Sequence, residues 1–272
     1  MEATKLAANR LNGFWKGGVL LTVGIVLIGW LLNTPGGLLG KADAVGYAVC
    51  HRIDLRSFFL GDRQLPLCAR CSGMYLGAVL GLIYQSVLSP RREGTPPRIV
   101  LVTLAAFTGA FILDGINSLL SFFPGDPSLY TPTNILRLFT GTGMGLALAL
   151  VVYPAFNSTV WNNTSKQPAV QSLGSFSALV LLAVGVDLLV LLENPLLLYP
   201  LALISAAGVV LLLTTVYTML WLIILKAERR YNRVSEILFP ILGGFTVAIV
   251  QIGLLDALRF FLTGTWDGFH LG

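Results

Sequence analysis

The sequence predicts an all-α, polytopic bundle of about seven membrane-spanning helices, and three observations carry that prediction. Of 272 residues, 55% are hydrophobic and only 11% are charged, where a soluble domain carries about 25% charged residues. Mean hydropathy is +0.79. Several apolar runs approach or exceed the ~20 residues that a helix needs to cross a bilayer. The formal charge of +5 follows membrane topology, so no nucleic-acid partner is expected.

The spans are read in order. The first runs from Phe14 to Leu32, with Trp15 and Trp30 as interfacial anchors. A basic stretch precedes it, as in a signal peptide. No small-x-small cleavage site follows Leu32, so an uncleaved span is expected. The second covers Cys71 to Leu88 and stops at Ser89-Pro90. The third spans Ile99 to Phe123, the fourth Ile135 to Phe156 and the fifth Leu173 to Leu192. Glu193-Asn194-Pro195 is a tight break into the sixth, Leu196 to Leu225, and the seventh is Ile237 to Phe261. Leu38 to Val49 is too short to cross and too apolar for a plain loop, which fits an interfacial or re-entrant helix. The polar linker Asn157 to Gln171 divides a front region, 1–156, from a three-span back region, 157–272.

Lysine and arginine set the expected orientation. Lys5, Arg10, Lys16, Arg91, Arg92, Arg98, Lys166, Lys226, Arg229, Arg230 and Arg233 all fall on one side of a seven-span chain. The positive-inside rule then gives a cytoplasmic N-terminus and an outer C-terminus. The acceptor-like sites Asn157-Ser-Thr and Asn162-Asn-Thr fall on the cytoplasmic side, where they carry no glycan. The long first loop, Asn33 to Arg70, is the exception: it faces outward yet holds Lys41, Arg52, Arg56, Arg63 and Arg70. Gly61 and Pro66 interrupt it, so Arg56, Arg63 and Arg70 need not share a face.

Glycine is patterned. Gly73, Gly77 and Gly81 recur every fourth residue on the second span, and Gly141 and Gly145 do so on the fourth. Small residues at that spacing let helix backbones approach closely, which places the second span at the bundle centre.

All three cysteines lie in or beside the first loop: Cys50, followed by His51, and the pair Cys68-Ala-Arg-Cys71. The Cys-x-x-Cys pair opens a helix beside an arginine, and helix dipole and cation both favour thiolate. Three readings stay open. Cys50, His51, Cys68 and Cys71 form a Cys₃His set of the kind zinc prefers, although two adjacent ligands seldom turn to one ion, so water, Asp54 or Asp114 is an alternative fourth ligand. Cys68 and Cys71 form a redox pair with Cys50 exchanging. Or two of the three form a static bridge. A c-type haem site is not expected, because Ser72 follows Cys71.

A second polar set lies in the spans. Asp114 and Asn117 share a face of the third span, and Arg137 enters the fourth just after Asn134. Ionisable groups at membrane depth pair with each other or line a cavity, so an Asp114–Arg137 ion pair is expected on the side of the cysteine loop. Asp187, Gln251, Asp256 and Arg259 read as supporting residues, with Asp256 and Arg259 neutralising each other, and His270 as tail.

The stretch Gly46-Tyr47-Ala48-Val49-Cys50-His51, Arg56-Ser57-Phe58-Phe59 and Gln64 to Gly77, with Leu113-Asp114-Gly115 and Asn134-x-x-Arg137-x-x-x-Gly141 downstream, resembles a family of prokaryotic predicted integral-membrane proteins of unknown function. The resemblance covers about Val45 to Leu150 and implies a multi-pass protein of a prokaryotic plasma membrane. The functional expectation is an outward-facing Cys/His site binding a zinc-like metal or acting in thiol redox chemistry, with Arg56, Arg63, Arg70, Asp114, Asn117, Asn134 and Arg137 orienting it or contacting substrate. The competing expectation is a transporter or lipid-binding protein. In it the loop arginines receive an anionic headgroup or solute through the planar guanidinium fork, and the cysteines are structural.

Overall fold

A computed structural model describes residues 2–123, 125 and 127–268, with side chains from 16 onward. Trp15 as an anchor and His270 as tail therefore lie outside the described side chains. Eight α-helices are present among the described residues: α1 Glu2–Asn33, α2 Gly37–Val49, α3 Ala69–Leu88, α4 Arg98–Leu120, α5 Asn134–Val160, α6 Leu173–Leu191, α7 Pro195–Ile224 and α8 Leu238–Thr263. All but α2 are long and apolar enough to cross a membrane, in α1 through Lys16–Asn33, so the seven-span expectation is met. The short α2 is the non-crossing helix expected at Leu38 to Val49.

The bundle is organised around α3 and α5. Their glycines explain the close approach. A Cβ on Gly77 would lie 2.6 Å from the Thr142 carbonyl oxygen, and Cβ atoms on Gly73, Gly141 and Gly145 would run into the backbone carbonyls of Leu138, Arg70 and Met74. Any side chain at these positions drives the helices apart. Leu138, Leu146, Ala149 and Leu150 of α5 are buried in consequence. α5 is the most buried span and α1 the least.

The back region packs directly on this pair. Gly208 of α7 lies against Tyr75 and Val79 of α3, and α8 packs on α7 and α1. Asp187 of α6 is buried and accepts a hydrogen bond from Thr142 Oγ1 at 2.6 Å. Asn157, at the start of the expected linker, is buried within α5 and donates to the Arg92 carbonyl at 2.8 Å.

Short strands tie the connections at each end. β1 (Phe59–Leu60) and β2 (Arg63–Gln64) form a hairpin in the long first loop. At the opposite end, β3 (Arg92–Gly94) pairs in parallel with β4 (Ser165–Pro168), and Trp161 bridges to Tyr231. The cysteine loop sits where α1 and α4 end and where α3 and α5 begin.

Candidate functional site

Cys50 is the C-cap of α2 and Cys68 the N-cap of α3. The two helix ends can meet because Gly46 has no side chain: a Cβ there would overlap the Pro66 carbonyl. Cys71 follows one turn into α3. The three Sγ atoms all lie within 4.8 Å of one another, and none is in a disulfide. Cys50 and Cys68 are buried and Cys71 is partly so. The thiols sit in an apolar wall made by Ala42, Val45 and Leu67 with Ala206 and Val209 of α7 and Ile249 and Ile252 of α8. The last spans thus close over the thiols.

The trio is asymmetric. The Cys50 sulfur accepts from the Cys68 amide at 3.4 Å. Hydrogen bonds from the thiols of Cys68 and then Cys71 outweigh burial and hold Cys50 well below the usual thiol range. Cys68, donating to Cys50, is pushed up to about 12. Of the three, Cys50 is the one whose thiolate this arrangement favours, with the other two thiols as its donors.

His51 is not among the three converging groups. Its Nε2 is nevertheless buried with no hydrogen-bond partner among the described residues. Burial lowers its pKa, and the neighbouring Cys50 sulfur offsets part of the shift. A cleft of about 360 Å³ between α2 and α8 reaches Cys50 and His51. Arg259 of α8 spans it, donating to the carbonyls of Tyr47 at 2.7 Å, Cys50 at 2.6 Å and His51 at 3.2 Å. It thereby caps the negative end of α2. Asp256 accepts from Trp30 Nε1 at 3.1 Å and its charge and that of Arg259 act on each other as expected, so Trp30 is a helix-to-helix donor as well as a candidate interfacial residue.

Beside the thiols, Arg56, Arg70 and Arg137 converge on α4. The expected Asp114–Arg137 ion pair is not what forms. Asp114 is paired with Arg70, whose Nε reaches Oδ2 at 3.1 Å and whose Nη2 also contacts that oxygen. Tyr130 donates to its Oδ1 at 3.0 Å. Arg137 turns to Asn134 Oδ1 at 2.9 Å and Ser118 Oγ at 3.4 Å. The physical reason is local: Asn134, three residues earlier on the same helix, takes the Arg137 guanidinium, and the Arg70 side chain reaches across to Asp114 and Ser118. Asn117 is structural, holding the turn before α5 through its bonds to Leu129 and Tyr130. Asn134 also donates to the Ser57 carbonyl at 3.3 Å.

Arg56 donates to the Ser118 carbonyl and stacks over Phe122, 3.8 Å from its centroid. Burial, then Arg137 and Arg70, lower its pKa to about 10. Cys68 and Asp114 act in the opposite sense, so arginines and thiols share one electrostatic neighbourhood. Arg63 stands apart: with Arg52 it pairs with Asp43 of α2, at 2.5 and 3.0 Å. Arg52 adopts a left-handed backbone (φ 49°) where the chain turns away from His51, and Gln64 holds its carbonyl at 2.8 Å. Asp54 is exposed.

Ser118 is the residue that sequence reading missed. It is fully buried and serves Arg56 through its carbonyl and Arg70 and Arg137 through its hydroxyl. Its signal was its place one helical turn after Asp114, on the same face. Asp43 offered no such signal.

Fold and site together define a multi-pass helical membrane protein with a buried thiol trio at one end of its bundle. Residues 50–151 match the profile of the predicted membrane proteins designated DUF2085. An uncharacterised protein of Methanothermobacter thermautotrophicus is 30% identical over 103 residues, 38% of this chain and 83% of the relative. An uncharacterised protein of Methanocaldococcus jannaschii is 27% identical over 118 residues, 43% of this chain and 70% of the relative. The chain belongs to the DUF2085 family. No solved structure matches it. The matched stretch begins at Cys50 and contains the thiols, the three converging arginines, Asp114 and Ser118; it ends within α5, before α6, α7 and α8.

Proposed function

We propose that this protein holds a thiophilic metal ion, zinc or a zinc-like ion, on Cys50, Cys68 and Cys71 at the outer face of a prokaryotic plasma membrane. The observation that carries the reading is the convergence of three sulfurs from two helix ends to within 4.8 Å of one another. Sulfurs bound to one zinc at ~2.3 Å stand roughly 3.8 Å apart, so a small closing movement suffices. Three protein thiolates leave a fourth position open. His51, with its unpartnered Nε2, is the nearest candidate in sequence, and water is the alternative. Three thiolates on a divalent ion carry a net negative charge, which the adjacent Arg56, Arg70 and Arg137 offset. The outer placement rests on the positive-inside count.

The arginine contacts leave little capacity for an anionic headgroup in the first loop. Arg52 and Arg63 share Asp43, Arg70 holds Asp114, and Arg56 is bonded and stacked. We therefore place no anionic ligand there.

The test is to purify the full chain in detergent without added metal and to measure bound metals and reactive thiols on the same sample. The expected result is on the order of one ion per chain, three thiols titratable after chelation, and loss of the ion in Cys50→Ser, Cys68→Ser and Cys71→Ser. Absence of metal, with two thiols unreactive until reduced, overturns the metal reading in favour of a disulfide pair.

A further inference from the structure

At the end of the bundle opposite the thiols, a cleft of about 530 Å³ opens between α3, α5, α7 and the start of α8. Its walls are apolar, with Leu82, Phe156, Leu211 and Ile241 among them. Two features break that uniformity. Thr214 lines the cleft with a buried hydroxyl that has no hydrogen-bond partner, although its neighbours Thr215 and Thr218 bond back to their own helix. Arg91 stands at the rim, stacked over Trp161 at 4.4 Å with only Nη2 engaged, on the Asn232 carbonyl at 2.8 Å. Its other donors have no acceptor among the described residues. Exposed Arg98, Lys226 and Arg230 surround this end of the molecule.

We propose that the cleft seats an anionic phospholipid, with one acyl chain between α3 and α7 and the phosphate on Arg91. Depth agrees with a single leaflet. Thr214 lies ten residues before the end of α7 at Ile224, or about 15 Å along the helix, half of a ~30 Å hydrocarbon core. α7 is 30 residues long, about 45 Å, so its last turns stand in the headgroup layer and Thr214 lies inside the hydrocarbon of the same leaflet, beside the upper acyl chain. Charge complementarity selects the lipid: a basic rim attracts anionic headgroups, and each arginine near the surface contributes about a fivefold preference. The acyl wall excludes a free phosphate as the natural occupant.

Native mass spectrometry of the delipidated full chain, titrated with phosphatidylglycerol or phosphatidylcholine of matched acyl chains, tests this. Phosphatidylglycerol is expected to bind more tightly. Arg91→Ala should weaken it about fivefold and phosphatidylcholine, whose choline offsets its phosphate, by less, and Thr215→Trp, which fills the cleft from an already half-buried position, should weaken both. Arg63→Ala, at the other end, should alter neither. Equal binding of the two lipids, or a preference that survives both Arg91→Ala and Thr215→Trp, overturns the proposal. So does loss of the preference in Arg63→Ala alone, which would return the headgroup to the first loop.

Discussion

At the thiol end of the bundle, Arg52, Arg56 and Arg137 are buried, Arg70 is nearly so, and every one of them donates to a protein acceptor. At the opposite end, Arg98, Arg229, Arg230 and Arg233 are exposed, and among these described residues only the guanidinium of Arg229 forms an ion pair with a carboxylate. A charge count treats the two groups alike, but the fold does not. Arginine that is folded into a hydrogen-bond network acts as scaffold for the site beside it. Arginine left on the rim keeps its donors for water and lipid. The difference also explains how the first loop can carry so much positive charge: Asp43 takes two of its guanidiniums and Asp114 a third.

The sharpest way to break this contrast is to remove Asp114. Arg70 would then be left in a buried site facing Arg56 and Arg137 with no carboxylate among them. Breaking a buried pair from one side costs about 3–5 kcal/mol. Asp114→Ala should therefore lower stability by that order in a denaturant titration in mixed micelles. Replacing both partners, Arg70→Met with Asp114→Leu, should recover most of the loss, because no uncompensated charge remains. Arg137→Met should cost less than Asp114→Ala, since Asn134 and Ser118 are neutral partners. Equal costs for the two single changes would restore the Asp114–Arg137 pair as the dominant contact.

A second comparison concerns tolerance to a single methyl group. At the thiol end, Gly46→Ala places a Cβ on the Pro66 carbonyl. Overpacking of this kind costs about 1–3 kcal/mol, and here it also separates Cys50 from Cys68. The expected outcome is a loss of bound metal larger than the loss of stability implies. At the opposite end, Gly243→Ala meets only the Trp221 ring, at 3.7 Å or more. It should be neutral or stabilise α8 by up to ~1 kcal/mol, the helix preference for alanine over glycine. Retention of metal by Gly46→Ala would show that the helix contact and the thiol trio are independent.

How much of this was legible follows from the range of each signal. The spans and the α3–α5 seam were legible because hydropathy and the Gly73–Gly77–Gly81 and Gly141–Gly145 spacings are local and periodic. The meeting of Cys50 with Cys68 and Cys71 was suggested by clustering in one loop. Partner choice was not legible. Arg70 rather than Arg137 takes Asp114, and Arg259 reaches Tyr47, Cys50 and His51 from the far end of the chain. Such pairings depend on helix rotation and depth, which no spacing encodes. The pairing of β3 with β4 was hidden for the same reason, since both segments read as polar connections.

The smallest expected effect lies at the exposed rim, and it decides whether the two ends differ in kind or only in degree. Arg229 reaches Glu93 at 2.7 Å with about half of its side chain in solvent. Its Nε also donates to the Ser158 carbonyl at 3.0 Å. A glutamine in its place keeps an amide donor for Glu93, whose own side chain is only 9% exposed, and an ion pair open to solvent on its arginine side contributes about 0–1 kcal/mol. Arg229→Gln should thus shift the unfolding free energy by no more than that, and the shift should shrink further as salt is raised from low ionic strength. Asp114→Ala should show little salt dependence, because its pair is shielded from solvent. A salt-insensitive loss of several kcal/mol on Arg229→Gln would mean that the rim arginines are scaffold as well, and their proposed freedom to hold lipid would go with it.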